Sequence, residues 1–324
     1  MPKKVYPELN TVVSMCEHTL LTTSQKQELA EAASFEEALS LILSWNFFAT
    51  GDTDDYKSGL DKEKYYWIGK FAAISPECFI KLFELHDAFY AVKIFVKETL
   101  LGKTSTGLYI PYCPYDREYL SSLEEKSEKT AFDEKMLSLA GELKEDYEKH
   151  KSLTRLDLLT SFFEFETLEE YAKQTKDEDV VEAVRRRIDL DLISLALVSR
   201  GKNIPYSDST YEKADKVSLT FDFRKMLAQT DGENLKMLEN TPYKDVYKAA
   251  MTPEGRLNYD TLADDVIIAF CKKAKFQPFG LFMVYAFLYV KMADIKNVRV
   301  AMLAKSSGSD KETVRERMRG TYEL

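Results

Sequence analysis

A chain of 324 residues that is 45% hydrophobic and 31% charged can bury a large core and has the length of two or three domains. Its net charge of −9 points away from nucleic acid, although a summed charge leaves room for a local basic patch. Cys16, Cys78, Cys113 and Cys271 show no CxxC spacing, which fits reduced thiols better than a disulfide frame or a zinc site, and residues 1–6 lead into no signal-peptide core, so a soluble protein that is neither secreted nor membrane-spanning is expected.

Helix starts punctuate the chain. Ser24 with Gln27 and Ser34 with Glu37 have the spacing of a capping box, in which each side chain satisfies a backbone amide of the other. Ser75-Pro76 places proline at a first helical position and opens a stretch where Leu82, Leu85, Phe89, Val92 and Val96 recur at helical spacing. Glycine and proline then concentrate in GKTSTGLYIPYCP (102–114), a linker. Thr167 with Glu170 forms another box, GKNIPYSDS (201–209) a second linker, and Thr241-Pro242 and Thr252-Pro253 mark further starts. From Pro278 to Val290 thirteen residues pass without a charged side chain, short of the roughly 20 that cross a bilayer as a helix. Lys291, Asp294 and Asn297 follow at spacings of three and so share one face, and Ser309 with Glu312 caps a final basic helix. Polar groups on such a face imply a satisfied network between helices or an interface. Period-two alternation bounded by turn residues is scarce, and the chain is expected to be nearly all α.

Both linkers begin with Gly-Lys and contain Ile-Pro-Tyr, at residues 110–112 and 204–206. A constant step, 191 − 88 = 103 and 294 − 191 = 103, lays the helix before each linker on the last long one and aligns Ala88, Asp191 and Asp294. The same step aligns Ala91, Ser194 and Asn297, then Lys93, Ala196 and Arg299. Three helical repeats, 1–107, 108–208 and 209–324, would then fill the chain.

Catalytic signatures fail on inspection. Gly102-Lys103-Thr104 matches the end of a phosphate-binding loop, but Lys97 stands where its first glycine belongs and the segment follows a helix, so no direct nucleotide binding is expected. His18, His86 and His150 are far apart, without HExxH or a His-Cys grouping, and neither a GxSxG elbow nor a GxGxxG turn occurs; no metal, cofactor or catalytic residue is expected. Arg185-Arg186-Arg187 could grip phosphate, but Glu182, Asp189 and Asp191 offer local pairing and favour a solvated helix face. The aromatic run Phe279, Phe282, Tyr285, Phe287 and Tyr289 is read as core.

Tyr285, Lys291, Asp294, Asn297, Arg299 and Lys305, followed by Gly308 and the terminal ETVRERMRGTY, resemble the C-terminal signature of the C subunits of prokaryotic V-type (A/V-type) ATPases, whose eukaryotic counterparts are the d subunits. Tyr6, Leu20-Leu21 and SFEEALSLI (34–42) resemble the first helices of that family, and Asp191 and Arg200 fall where it has its middle acid and arginine. Asp294 stands where the family commonly has glutamate, and Ser194 where it has asparagine. The resemblance implies three similar helical lobes arranged with pseudo-threefold symmetry as a funnel. It also implies a non-catalytic connector of the central rotor, peripheral on the cytoplasmic face of the membrane, that couples the central axle subunits to the membrane proteolipid ring for ion transport or ATP synthesis. Its candidate structural or interface residues are Asp191, Arg200, Lys291, Asp294, Asn297 and Arg299. A stand-alone helical-repeat scaffold binding soluble partners is the alternative, and would share the composition and the repeats.

Overall fold

Apolar residues at helical spacing become helices along the whole chain, and no strand occurs among the described residues. The computed structural model describes residues 7–49, 51, 55–105, 107–202, 213–217, 220–277 and 279–324. Tyr6, the Ile204-Pro205-Tyr206 half of the second linker and Pro278 lie outside them. In chain order the helices are α1 (Pro7–Cys16), α2 (Thr23–Glu31), α3 (Phe35–Ser44), α4 (Tyr56–Ala72), α5 (Glu77–Leu101), α6 (Arg117–Ser122), α7 (Ala131–His150) and α8 (Leu153–Thr175). They continue as α9 (Glu178–Lys202), α10 (Phe223–Ala228), α11 (Asp231–Met237), α12 (Lys244–Ala249), α13 (Pro253–Leu257), α14 (Tyr259–Cys271), α15 (Leu281–Ser306) and α16 (Lys311–Glu316).

The helix starts fall near the expected places, with informative exceptions. Ser34 caps α3 by accepting from the Glu37 amide, and Thr252-Pro253 opens α13 with proline in its first turn. At α2 the cap is Thr22, boxed with Gln25, rather than Ser24, whose hydroxyl instead donates to Glu28. At α16 it is Asp310 rather than Ser309. Thr167 starts nothing: it lies buried inside α8 and its hydroxyl donates to the Phe163 carbonyl one turn back, a partner that lets threonine sit mid-helix. The segment expected as the first linker is a loop after α5, with Gly102 in the left-handed conformation at φ 61°, and it lies within one compact unit rather than between two. Within this loop Ser105 N donates to the Glu98 carboxylate at 2.5 Å.

The chain divides into two compact units. One comprises Glu77–Gln174 and Pro205–Ser218. Its core is aromatic: Phe89 stacks on Phe132 with ring centroids 6.0 Å apart, and Phe163 meets Phe89 edge-on at 5.4 Å. The apolar stripe expected on α5 is what packs there, since Leu82, Leu85, Phe89, Val92 and Val96 are all buried.

The other unit comprises Met1–Pro76, Thr175–Ile204 and Leu219–Leu324. Its organising element is α15, 26 residues long and packed by α1, α3 and α4 from the start of the chain as well as by α14 and α9. One core holds both chain ends: Leu29, Ala38, Ile42 and Leu60 pack with Val298 and Met302. A residue from another segment begins this helix. Asp177 Oδ2 accepts from Leu281 N at 3.0 Å and Phe282 N at 3.2 Å, doing for α15 what an N-cap side chain does elsewhere. Gly280 makes room for it, because φ is 120° and a Cβ there would stand 2.8 Å from that carboxylate oxygen.

Candidate functional site

The polar face expected on the last long helix exists, and it is turned inward. Lys291, Asp294 and Asn297 have no exposed surface at all. Each is answered by a different part of the chain. The Lys291 ammonium lies 3.3 Å from Glu63 of α4, donates to the Thr19 carbonyl at 3.1 Å, and faces the Phe47 ring at 4.0 Å. Glu63 is itself fully buried and also accepts from Trp67 Nε1 at 2.5 Å and Ala49 N at 2.8 Å. Asp294 accepts from Leu21 N at 2.9 Å through Oδ2. Its Oδ1 is 2.9 Å from the Lys26 ammonium, an ion pair. Asn297 pairs both ways with the backbone of Arg319, accepting from its N–H at 2.8 Å and donating to its carbonyl at 3.3 Å.

Two more carboxylates extend the cluster. Asp264 of α14 accepts from Arg319 Nε at 2.5 Å, from Lys296 at 2.9 Å and from the Tyr289 hydroxyl at 2.7 Å. Asp265 accepts from Gly320 N at 2.6 Å. Residues 319–323 therefore run as a strap over α2, α14 and α15: Lys26 donates to the Gly320 carbonyl at 2.7 Å and Thr23 N to the Glu323 carboxylate at 2.8 Å.

Burial sets the electrostatics. It lowers the Lys291 pKa against the pull of Glu63 and Asp294, and raises that of Asp294 against Lys26. At Asp264 burial again favours the neutral acid, but Lys296 and Arg319 outweigh it and hold the carboxyl below its ordinary value. These are charges matched inside the protein, and Lys291, Asp294 and Asn297 have no surface left to offer a partner.

The remaining candidates are dispersed. Arg299 pairs with Asp61 of α4 at 2.7 Å and keeps part of its surface exposed. Arg200 donates to Asp231 at 2.6 Å and to the Tyr247 hydroxyl at 2.9 Å, which pins the end of α9 to α11 and α12. Asp191 lies toward the surface. It is half exposed and stands 3.9 Å from Arg187 one turn away, while Arg185 and Arg186 pair with Glu182. The buried acid of α9 is Asp189, which accepts from the Thr220 hydroxyl at 2.5 Å and the Tyr243 hydroxyl at 2.8 Å and has its pKa raised by burial. Asp87 on α5, Asp189 on α9 and Asp294 on α15 thus place one buried aspartate near the middle of each of the three longest helices.

Lys26, Glu63, Asp189, Asp264 and Arg319 are absent from the residues expected in the site. A faint signal existed for two of them. Glu63 lies on the apolar rhythm of Leu60, Trp67 and Phe71, and Asp264 on that of Ile267, Ile268 and Cys271, where a charge is out of place unless it is paired. No group of three or more His, Cys, Asp or Glu side chains that could hold a metal ion occurs among the described residues.

Fold and site together define a helical body whose ionisable cluster is spent on fastening one helix to both ends of the chain. By family the chain belongs to the ATP synthase (C/AC39) subunits, whose model matches residues 9–317. It is a structural subunit rather than the catalytic one. It is similar to the C subunit of the V-type sodium ATPase of Enterococcus hirae, at 22% identity over 330 residues that cover 98% of this chain and 99% of the relative. Among the described residues no helix is long and apolar enough to cross a membrane.

Proposed function

We propose that this protein is the connector of the central rotor of a V-type ATPase, seated peripherally on the cytoplasmic face of the membrane between the axle subunits and the proteolipid ring. The observation that carries the reading is the family match from residue 9 to residue 317, which leaves little of the chain for any other role. A connector must pass torque without absorbing it. Close-packed helices meet that need because a dense interior transmits strain, and the Lys291–Glu63 and Lys26–Asp294 pairs fix α15 against sliding. The three long helices α5, α9 and α15 begin at Glu77, Glu178 and Leu281, at steps of 178 − 77 = 101 and 281 − 178 = 103 residues, and each carries its buried aspartate. This supports three similar lobes around a pseudo-threefold axis, the third completed by α1, α3 and α4 from the start of the chain.

The test is a pair of assays on the complex with and without this protein. ATP hydrolysis by the soluble head should persist in its absence, and ion transport should vanish because nothing carries rotation to the ring. Undiminished transport without it overturns the connector role.

A further inference from the structure

One aromatic of the run expected in the core is not in it. Phe279 is 53% exposed and Phe276, three residues earlier, is 72% exposed, whereas Phe282 and Phe287 are buried. The two exposed rings sit on the short 3-10 turn Lys272–Phe276 and the bend that leads into α15. Lysines crowd the same segment. Lys272 and Lys275 have no carboxylate partner among the described residues, and neither has Lys176, which adjoins the Asp177 that caps α15. Of the acids beside them, Asp179 is paired with Lys273 at 2.6 Å, while Asp177 and Glu323 keep their charge as they accept from the α15 amides and from Thr23, and Lys275 lies over the Tyr322 ring at 4.6 Å. Of the acids in 177–179 only Glu178 is exposed.

We propose that Lys272, Lys275, Phe276 and Phe279, with Lys176, form an interfacial contact for an anionic lipid surface, the two phenylalanines entering the headgroup region and the lysines facing lipid phosphates. The chemistry matches that of surface-seated segments, which combine aromatic insertion with lysine attraction to anionic lipid. The net charge of −9 does not oppose it, because at physiological salt charges more than about 8 Å away are screened while the local lysines are not. A protein partner fits less well. Two exposed phenylalanine rings offer far less than the roughly 800 Å² per side of a stable protein interface, but suit a weak, reversible membrane contact. The contact is argued from this surface alone and does not depend on the connector role.

The test is co-sedimentation of the full chain with vesicles of neutral phosphatidylcholine and with vesicles containing about a third phosphatidylglycerol, a fraction that gives a clearly negative surface. Binding to the anionic vesicles is expected, weakened by salt, and reduced roughly fivefold or more by Phe276→Ser with Phe279→Ser or by Lys272→Gln with Lys275→Gln. Leu257→Ser, which removes an apolar side chain 76% exposed elsewhere, should leave it unchanged. Circular dichroism of each variant separates lost binding from lost folding. Absence of binding to anionic vesicles overturns the proposal, as does binding to which the Phe and Lys variants are indifferent. Failure of the Phe variant to join the assembled complex, with no vesicle binding by the parent chain, assigns the surface to a protein contact instead.

Discussion

Lys26 and Asp294 are 268 positions apart and nearly free of solvent, so each makes the other's charge tolerable. Removing one partner of such a pair leaves an uncompensated buried charge, which costs about 3–5 kcal/mol. Asp294→Asn keeps an acceptor for the Leu21 amide but strands Lys26, and urea unfolding should show a loss of that size. Lys26→Met added to Asp294→Asn should recover more than half of it; a double variant no better than the single one would mean that Lys26 is neutral or solvated. Acid stability follows from another carboxylate. Burial works against ionisation of Asp133, yet Lys126 at 2.8 Å, the Tyr119 hydroxyl and the Thr130 amide hold its carboxyl at about 2, below the ordinary 3.8. Because the folded value is the lower one, this stabilisation is present in full above about pH 4 and is lost as pH falls toward 2. The contribution is about 1–2 kcal/mol, less than full linkage because Lys126 is well exposed to solvent. Asp133→Asn should therefore flatten stability against pH between about 4 and 2, and an unchanged slope would exclude it. What the sequence makes legible at this scale is the polarity of one face. The spacing of Lys291, Asp294 and Asn297 reveals that they act together, but their partners lie in distant segments that no local pattern connects. Asp191 and Asp189 show the sharper difficulty. A constant step of 103 residues selects Asp191, yet two positions are roughly 200° around a helix, and that turns one acid outward and the other into the core.

At the scale of elements, caps were legible where side-chain chemistry alone decides and missed where backbone geometry does. Ser34 and Thr252 had no competitor nearby, whereas Thr22 and Asp310 won over neighbours one or two residues away, because each is the extended residue that directly precedes the first helical turn. The terminal strap carries no periodic signal, since many of its bonds are made by backbone groups of residues 319 and 320, beside the Arg319 and Glu323 side chains. It is nonetheless a fastening for three helices. Ending the chain after Arg317 removes the partners of Asn297, two carbonyl partners of Lys26, one partner of Asp264, and the buried Tyr322 ring. With about 1 kcal/mol for each ordinary hydrogen bond and more for those to charged groups, the truncated chain should lose on the order of 3–5 kcal/mol. Urea midpoints measure this, and hydrogen exchange should show α2 opening first. A loss under about 1 kcal/mol would make the strap a passive tail.

For the whole molecule, the consequential arrangement is that α15 is finished by helices made first. Its companions α1, α3 and α4 belong to the opposite end of the chain, and the strap brings Glu323 onto Thr23. Long helices α5 and α9 are packed mainly by helices that follow them, α7 for the one, α10 and α14 for the other. That order can be made covalent. A permutant that begins at Glu77, runs to Leu324, and continues through a flexible linker of about fifteen residues into the segment ending at Pro76 keeps each long helix ahead of its companions. Fifteen Gly/Ser residues reach well beyond the length of α1 and add little closure entropy, so the cost of permutation should stay near 1–2 kcal/mol. The opening lies where the two compact units exchange the chain, between α4 and α5, and cuts no helix. The permutant should fold, resist urea to nearly the parent midpoint, and substitute for the parent protein in transport assays. A chain stopped at Phe279 should behave differently: without α15, the core faces of α3 and α4 and the buried Glu63 are left uncovered, and that fragment should aggregate or remain molten. If the permutant fails to fold while the fragment folds, the closure of the chain ends on α15 is not what completes this unit.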